Sequence, residues 1–93
     1  MIPVFIGGNR VVDSSSLIGI FDYSYFAEGE NHKYLQKLHR ENKLMDAAGG
    51  SVPRALVVTT DMAYISAIAP LTLKRRTDRM CKGIDEFYSV EES

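Results

Sequence analysis

The sequence predicts a single α+β domain: a small, mostly antiparallel sheet of about five short strands with two helices, working as an oligomer. Three observations carry this. Short apolar runs alternate with Gly, Asn and Ser turn signals, the pattern of brief strands. Residues 31–43 repeat their apolar positions at helical spacing. Pro70 then opens a second amphipathic stretch, at a position where its missing N–H costs a helix nothing. Ninety-three residues make one domain. A chain of this size buries only about 60–70% of its unfolded surface, so its thin core gains from association. The domain is expected over residues 1–83, with 84–93 an acidic, flexible C-terminal tail.

The elements follow in order. Pro3 to Ile6 and Arg10 to Val12 flank Gly7-Gly8-Asn9, and such a triplet suits a hairpin turn. Asp13-Ser14-Ser15-Ser16 is turn and capping chemistry. Leu17 to Tyr23 reads as a strand with Ile18 and Ile20 on one face and Leu17, Phe21 and Tyr23 on the other. Gly19 inside it signals a bulge or a close-lying backbone. Asn31 to Lys43 is the first helix, with Asn31 as its N-cap and Asn42 as a left-handed C-terminal residue. Its Tyr34, Leu35, Leu38 and, further on, Met45 are expected to face the sheet. Lys33, Lys37 and Arg40 share its other side, more simply a solvated face than a ligand surface.

Ala47 to Pro53 is a loop by composition. Ala55 to Thr60 and Ala63 to Ile68 follow as strands around Asp61-Met62. Ala55-Leu56-Val57-Val58 is apolar on both faces, which places that strand centrally. The second helix runs from Pro70 to about Met80, with Leu73, Thr77 and Met80 on one side, and ends at Gly83.

Composition narrows the function. With 45% apolar and 25% charged residues the chain is globular. No apolar run approaches the ~20 residues of a membrane span, so no membrane partner is expected. Met1 to Ile6 lacks the cationic start of a secretory signal. Cys81 is the lone cysteine, and nothing points to an oxidising compartment. The expected location is cytoplasmic.

Little in the sequence suggests catalysis. His32 and His39 lie seven residues apart on one helix, whereas zinc-binding pairs sit at i, i+4. Cys81 has no histidine placed by sequence to act as its base. Gly7-Gly8 and Gly49-Gly50 lack the context of a phosphate loop. The reading is therefore no enzyme, no metal, no cofactor and no evident small-molecule ligand.

Charge is informative through its distribution. The net formal charge is −1, yet residues 54–82 hold six bases against two acids, and residues 83–93 hold four acids and no base. Lys74, Arg75 and Arg76 stand in succession on the second helix, and Arg79 extends the row. Cations near a helix C-terminus are favoured by its dipole. Clustered Lys and Arg equally suit phosphate contact, because they release counterions from a nucleic acid backbone.

Several segments together resemble a known family. Asn9-Arg10-Val11-Val12-Asp13 through Ile18-Gly19-Ile20-Phe21-Asp22 is similar to the opening of the bacterial extracellular matrix regulators, the RemA/RemB family. So are Lys43-Leu44-Met45-Asp46-Ala47, Pro53-Arg54-Ala55-Leu56-Val57-Val58, and Ser66-Ala67-Ile68-Ala69-Pro70-Leu71-Thr72-Leu73-Lys74-Arg75-Arg76. The likeness spans roughly residues 4 to 79 and is closer to the RemB branch. It implies a protomer that assembles into a ring and binds double-stranded DNA as a transcriptional regulator of biofilm matrix genes. In the RemA branch three arginines carry the DNA contact, and their positions fall here at Ser16, Ser51 and Val52, none of them charged.

The leading expectation is thus an oligomeric DNA-binding regulator that uses Arg10, Arg54, Lys74, Arg75, Arg76 and Arg79 on phosphates. The alternative is a protein-interaction or scaffold paralogue, oligomerising alone or with a sister protein, in which the basic helix pairs with a neighbouring protomer or the acidic tail.

Overall fold

The computed structural model describes the backbone of residues 2–82 and the side chains of residues 2–77. Strand β1, Pro3–Gly7, pairs antiparallel with β2, Arg10–Asp13, as a separate two-stranded hairpin. Gly8 and Asn9 at its tip take φ of 58° and 62°. Two successive left-handed residues give the turn whose twist matches paired strands. Gly8 is also sterically obligatory, since a Cβ there would lie 2.6 Å from the Ala47 carbonyl oxygen.

Asp13 closes the hairpin with a single 3₁₀ turn over Ser14–Ser16, its carboxylate accepting from the Ser15 N–H at 3.0 Å. Strand β3, Leu17–Asp22, follows. Its pairing slips by one residue between Leu17 and Gly19, which is the bulge that Gly19 signalled. The slip corrects the expected facing. The extra residue turns Ile18 outward, 65% exposed, and brings Leu17 onto the same cluster as buried Ile20. A second Asx-capped 3₁₀ turn over Tyr23–Phe26 leads toward helix α1, Glu30–Arg40.

The N-cap of α1 is Gly29, with φ 77°, and not Asn31, which sits inside the first turn. The C-terminus matches expectation: Asn42 has φ 60°. Its N–H donates to the His39 carbonyl, and the Lys43 N–H donates to the Leu38 carbonyl, the paired bonds of a Schellman motif. Three residues then form β4, Leu44–Asp46, so Met45 belongs to a strand and does not extend the helical stripe. Strands β5, Ala55–Thr59, and β6, Ala63–Ser66, complete a four-stranded sheet of order β3-β5-β6-β4. Its pairs are antiparallel except for parallel β4 and β6. Thr59 closes the turn between β5 and β6: its N–H and hydroxyl both donate to the Met62 carbonyl at 2.8 Å. Helix α2 runs Pro70–Lys82. The expected stop at Gly83, the tail 84–93 and the side chain of Met80 lie outside the described residues.

The molecule is α+β, with six strands in two sheets and two helices among the described residues. The layers follow from the alternation in β5. Ala55 and Val57 point to one face, where Val4, Ile6 and Val12 of the hairpin and Leu73 of α2 cover them. Leu56 and Val58 point to the other, under Leu35 and Leu38 of α1 with Tyr23 and Phe26. Central β5 is thus buried on both sides, as its sequence required. Buried Ser66 fastens the hairpin to the sheet, its hydroxyl donating to the Ile6 carbonyl at 2.7 Å and accepting from the Ile68 N–H at 3.0 Å.

Candidate nucleic-acid interface

The basic residues singled out by sequence separate into groups once folded. Arg54 stands immediately before β5. Its N–H donates to the Ser66 carbonyl at 2.8 Å and its carbonyl accepts from the Tyr23 N–H at 3.1 Å, so its backbone is pinned while its side chain is exposed. The loop 47–53 enters at this same end of the sheet, and the close approach of Gly8 to Ala47 brings the hairpin tip there too. Exposed Arg10 follows that tip, opposite Gly7. The fold therefore gathers Arg10 and Arg54 at one end of the molecule, although 43 residues separate them in sequence.

The loop between them is stabilised from within. The Asp46 carboxylate accepts from the Ala48 N–H at 2.8 Å, and the Ser51 N–H donates to the Ala48 carbonyl at 3.1 Å. Ser51 and Val52 project from it, Val52 being 74% exposed. Ser16 lies at the opposite end of the sheet. Its carbonyl accepts from the Thr60 N–H, just past the end of β5, and its hydroxyl donates to the Asp13 carbonyl. The three positions drawn from the family likeness thus do not converge within one protomer.

Helix α2 begins near the Arg54 end, after Ser66 and Ile68. Lys74 and Arg75 are exposed on it. Arg76 is different. Its guanidinium donates to the Phe5 carbonyl at 2.9 Å and sits 5.9 Å from the centroid of the Phe5 ring. That geometry suits a cation–π contact, and it uses Arg76 to fasten α2 to the hairpin. The side chain of Arg79 lies outside the described residues. On α1, Lys33 pairs with Glu30 at 3.3 Å between two exposed groups, as a solvated helix face would show.

Two carboxylates are held below their usual range. For Asp22 the first cause is the N–H of Ser24, then the Ser24 hydroxyl, with a smaller contribution from the positive charge of Arg54. For Asp13 it is the N–H of Ser15, then its hydroxyl. Asp22 therefore remains an anion near Arg54 and moderates the positive field at that end. Among the described residues, no three His, Cys, Asp or Glu side chains come together to hold a metal ion. No described helix is long and apolar enough to cross a membrane.

Sequence reasoning did not single out the apolar surface. Phe5 and Val11 are cross-strand partners on the outer face of the hairpin, 46% and 53% exposed. Ile18 and Phe21 stand exposed on β3, an edge strand. Strict alternation through Phe5 and Val11 was the available signal; which face would be covered was not.

The family model described as RemA-like, extracellular matrix regulatory protein A-like, matches residues 4–77. Extracellular matrix regulatory protein B of Bacillus subtilis (strain 168) is 29% identical over 77 residues, covering 83% of this chain and 91% of that protein.

Proposed function

The chain belongs to the RemA-like family of extracellular matrix regulatory proteins, and on that premise we propose that it is an oligomeric regulator of transcription that binds double-stranded DNA through its phosphates. The observation that carries this reading is that Arg10 and Arg54 lie toward the same end of the sheet as the loop 47–53, with Lys74 and Arg75 exposed on the helix that starts nearby. Two or three phosphate contacts per protomer are weak alone. Repeated around a ring they act on one duplex at high effective concentration. The exposed apolar side chains of the hairpin and of β3 support assembly, since a chain this small gains by covering them. No row of Arg, Asn or Gln is set out to read base edges, so selectivity would rest on DNA shape.

The test is Arg54→Glu, titrated into labelled duplex DNA by fluorescence anisotropy at about 50 and about 200 mM salt, a range over which phosphate-driven binding falls steeply. The expected result is weaker binding with a shallower salt dependence. Unchanged affinity and slope would show that this end of the sheet does not face DNA.

A second reading has its own support. Ser16, Ser51 and Val52 carry no charge, and Arg76 is engaged within the protomer. In that reading the chain is a scaffold that contacts protein partners only. Absence of DNA binding by the unaltered protein at the lower salt would favour it.

A further inference from the structure

The face of α1 that packs on the sheet does not seal it. Leu35, Leu44 and Ile65 lie in an open cleft of about 480 Å³ between the helix and the sheet. This is within the ~300–1,000 Å³ range of small-molecule sites. Helix positions 32, 35, 36, 39 and 40 fall within a stripe of about 140° at 3.6 residues per turn, so His32, Gln36, His39 and Arg40 are carried to the cleft alongside Leu35. Tyr23 enters from the sheet side. Arg40, exposed and at the edge of this stripe, lies about 20° round the helix from Lys33 and borders the cleft from the flank it shares with Lys33 and Lys37.

The chemistry of this lining is one-sided. It contains a guanidinium, two imidazoles, an amide and a phenol, and no carboxylate. The imidazole of His32 is held by its Nδ1, 3.1 Å from the Phe26 carbonyl oxygen. A carbonyl only accepts, so Nδ1 carries the proton, and in the neutral ring Nε2 is then an acceptor that gives an anion no hydrogen bond. His32 and His39 are about 10 Å apart along the helix axis, too far to share one metal ion. Arg40 and Gln36, one turn apart, are neighbours on the rim and both donate. The Arg40 and Gln36 donors at the rim, with apolar Leu35, Leu44 and Ile65 beside them, match a ligand with a charged oxygen group on a compact apolar body.

We propose that the cleft between α1 and the sheet binds a small organic oxyanion, a carboxylate or phosphate monoester on a compact apolar group, with Arg40 as its principal charge partner. The site is independent of the DNA reading, because Arg10, Arg54, Lys74 and Arg75 take no part in it.

Benzoate and phenyl phosphate are the probes, with neutral benzyl alcohol and cationic benzylamine as controls. Each is titrated into the whole protein by calorimetry and by saturation-transfer NMR. Saturable binding of one or both anions, with the controls at least tenfold weaker, is expected, and which anion binds more tightly identifies the oxygen group. Arg40→Gln should weaken that binding at least tenfold while leaving the melting temperature and particle size unchanged; Gln36→Leu should weaken it less. Equal binding of the neutral control, no saturable binding of either anion, or full affinity in Arg40→Gln would each overturn the proposal. A change of particle size in Arg40→Gln, without anion binding by the unaltered protein, would assign the cleft to a contact between subunits instead.

Discussion

The two faces of the four-stranded sheet are covered to different degrees. On the hairpin side eight residues are buried, including Val4, Ile6, Val57 and Leu73 at no more than 1% exposure. Polar ties secure that layer at its edges, through Ser66 to Ile6 and Arg76 to Phe5. On the α1 side, among the described residues, only Leu35, Leu56 and Ala63 of that cluster are buried, ringed by half-buried Tyr23, Phe26, Leu38, Leu44, Val58 and Ile65. Aromatic contacts hold that side: Phe26 meets Phe21 edge-on at 6.1 Å and Tyr34 at 5.9 Å. One face is a closed core that accounts for much of the stability. The other leaves room at the helix, and the cleft is that room.

The largest effect expected from this contrast is in core truncation. Leu73→Ala on the closed side should cost about 2–5 kcal/mol, the range for a buried leucine whose surroundings cannot collapse. Leu35→Ala, beside an open cleft, should cost no more than about half as much, because its neighbours can shift and water can enter. Urea unfolding at matched protein concentration measures both, since assembly adds to apparent stability. Equal losses would mean the faces are equally tight.

Next in size are the cations of α2. Arg76→Ala should lower stability by up to about 1 kcal/mol, a figure kept small by partial exposure. Lys74→Ala should leave stability within about 0.5 kcal/mol and instead reduce DNA affinity. Paired unfolding and binding curves check the division. If both variants behave alike, Arg76 is not the tie between helix and hairpin.

The smallest effect concerns the two capped corners, Asp13 leading into the closed side and Asp22 toward the open one. Both carboxyls are lowered by the serine N–H they accept. Their folded pKa lies below the unfolded value of about 3.9. Their contribution is therefore complete above that value and is lost as pH falls through the depressed folded one. Asp13→Asn and Asp22→Asn keep an acceptor oxygen but remove the charge. Each should flatten the loss of stability below about pH 4, with little change at neutral pH, as followed by thermal melts across that range. An unaltered acid limb in both would show that the corners contribute through geometry alone.

Much of the fold was legible wherever a local rule decided the outcome. Gly8-Asn9 set the hairpin turn, Asn42 the left-handed exit of α1, Pro70 the start of α2, and the unbroken apolar run 55–58 the central strand. The misses have physical causes. Leu44–Asp46 is too short a strand to show a period, and Met45 fell by chance at helical spacing. Gly19 announced a bulge, but the resulting turn of Ile18 to solvent depends on where the register slips. Asn31 is a good capping residue placed two positions after the true cap. At the candidate interface the limits were greater. The pairing of Arg76 with Phe5 spans 71 residues, and no local pattern reports so distant a partner. Lys33, Lys37 and Arg40 share one flank of the helix, and their spacing did not show that Arg40 also borders the cleft.

The bulge at Ile18 and Gly19 also bears on whether this edge can recruit further strands. Among the described residues β3 is an open edge bearing exposed Ile18 and Phe21. A long, regular apolar edge invites strand after strand to add without limit. One inserted residue twists the strand and breaks its ladder, leaving the short run Gly19–Asp22 in regular register. A neighbour docking there finds a brief, angled seat. Repeated head-to-tail contacts close only when their rotation returns to the start. The extra residue thereby disfavours endless sheet growth along this edge.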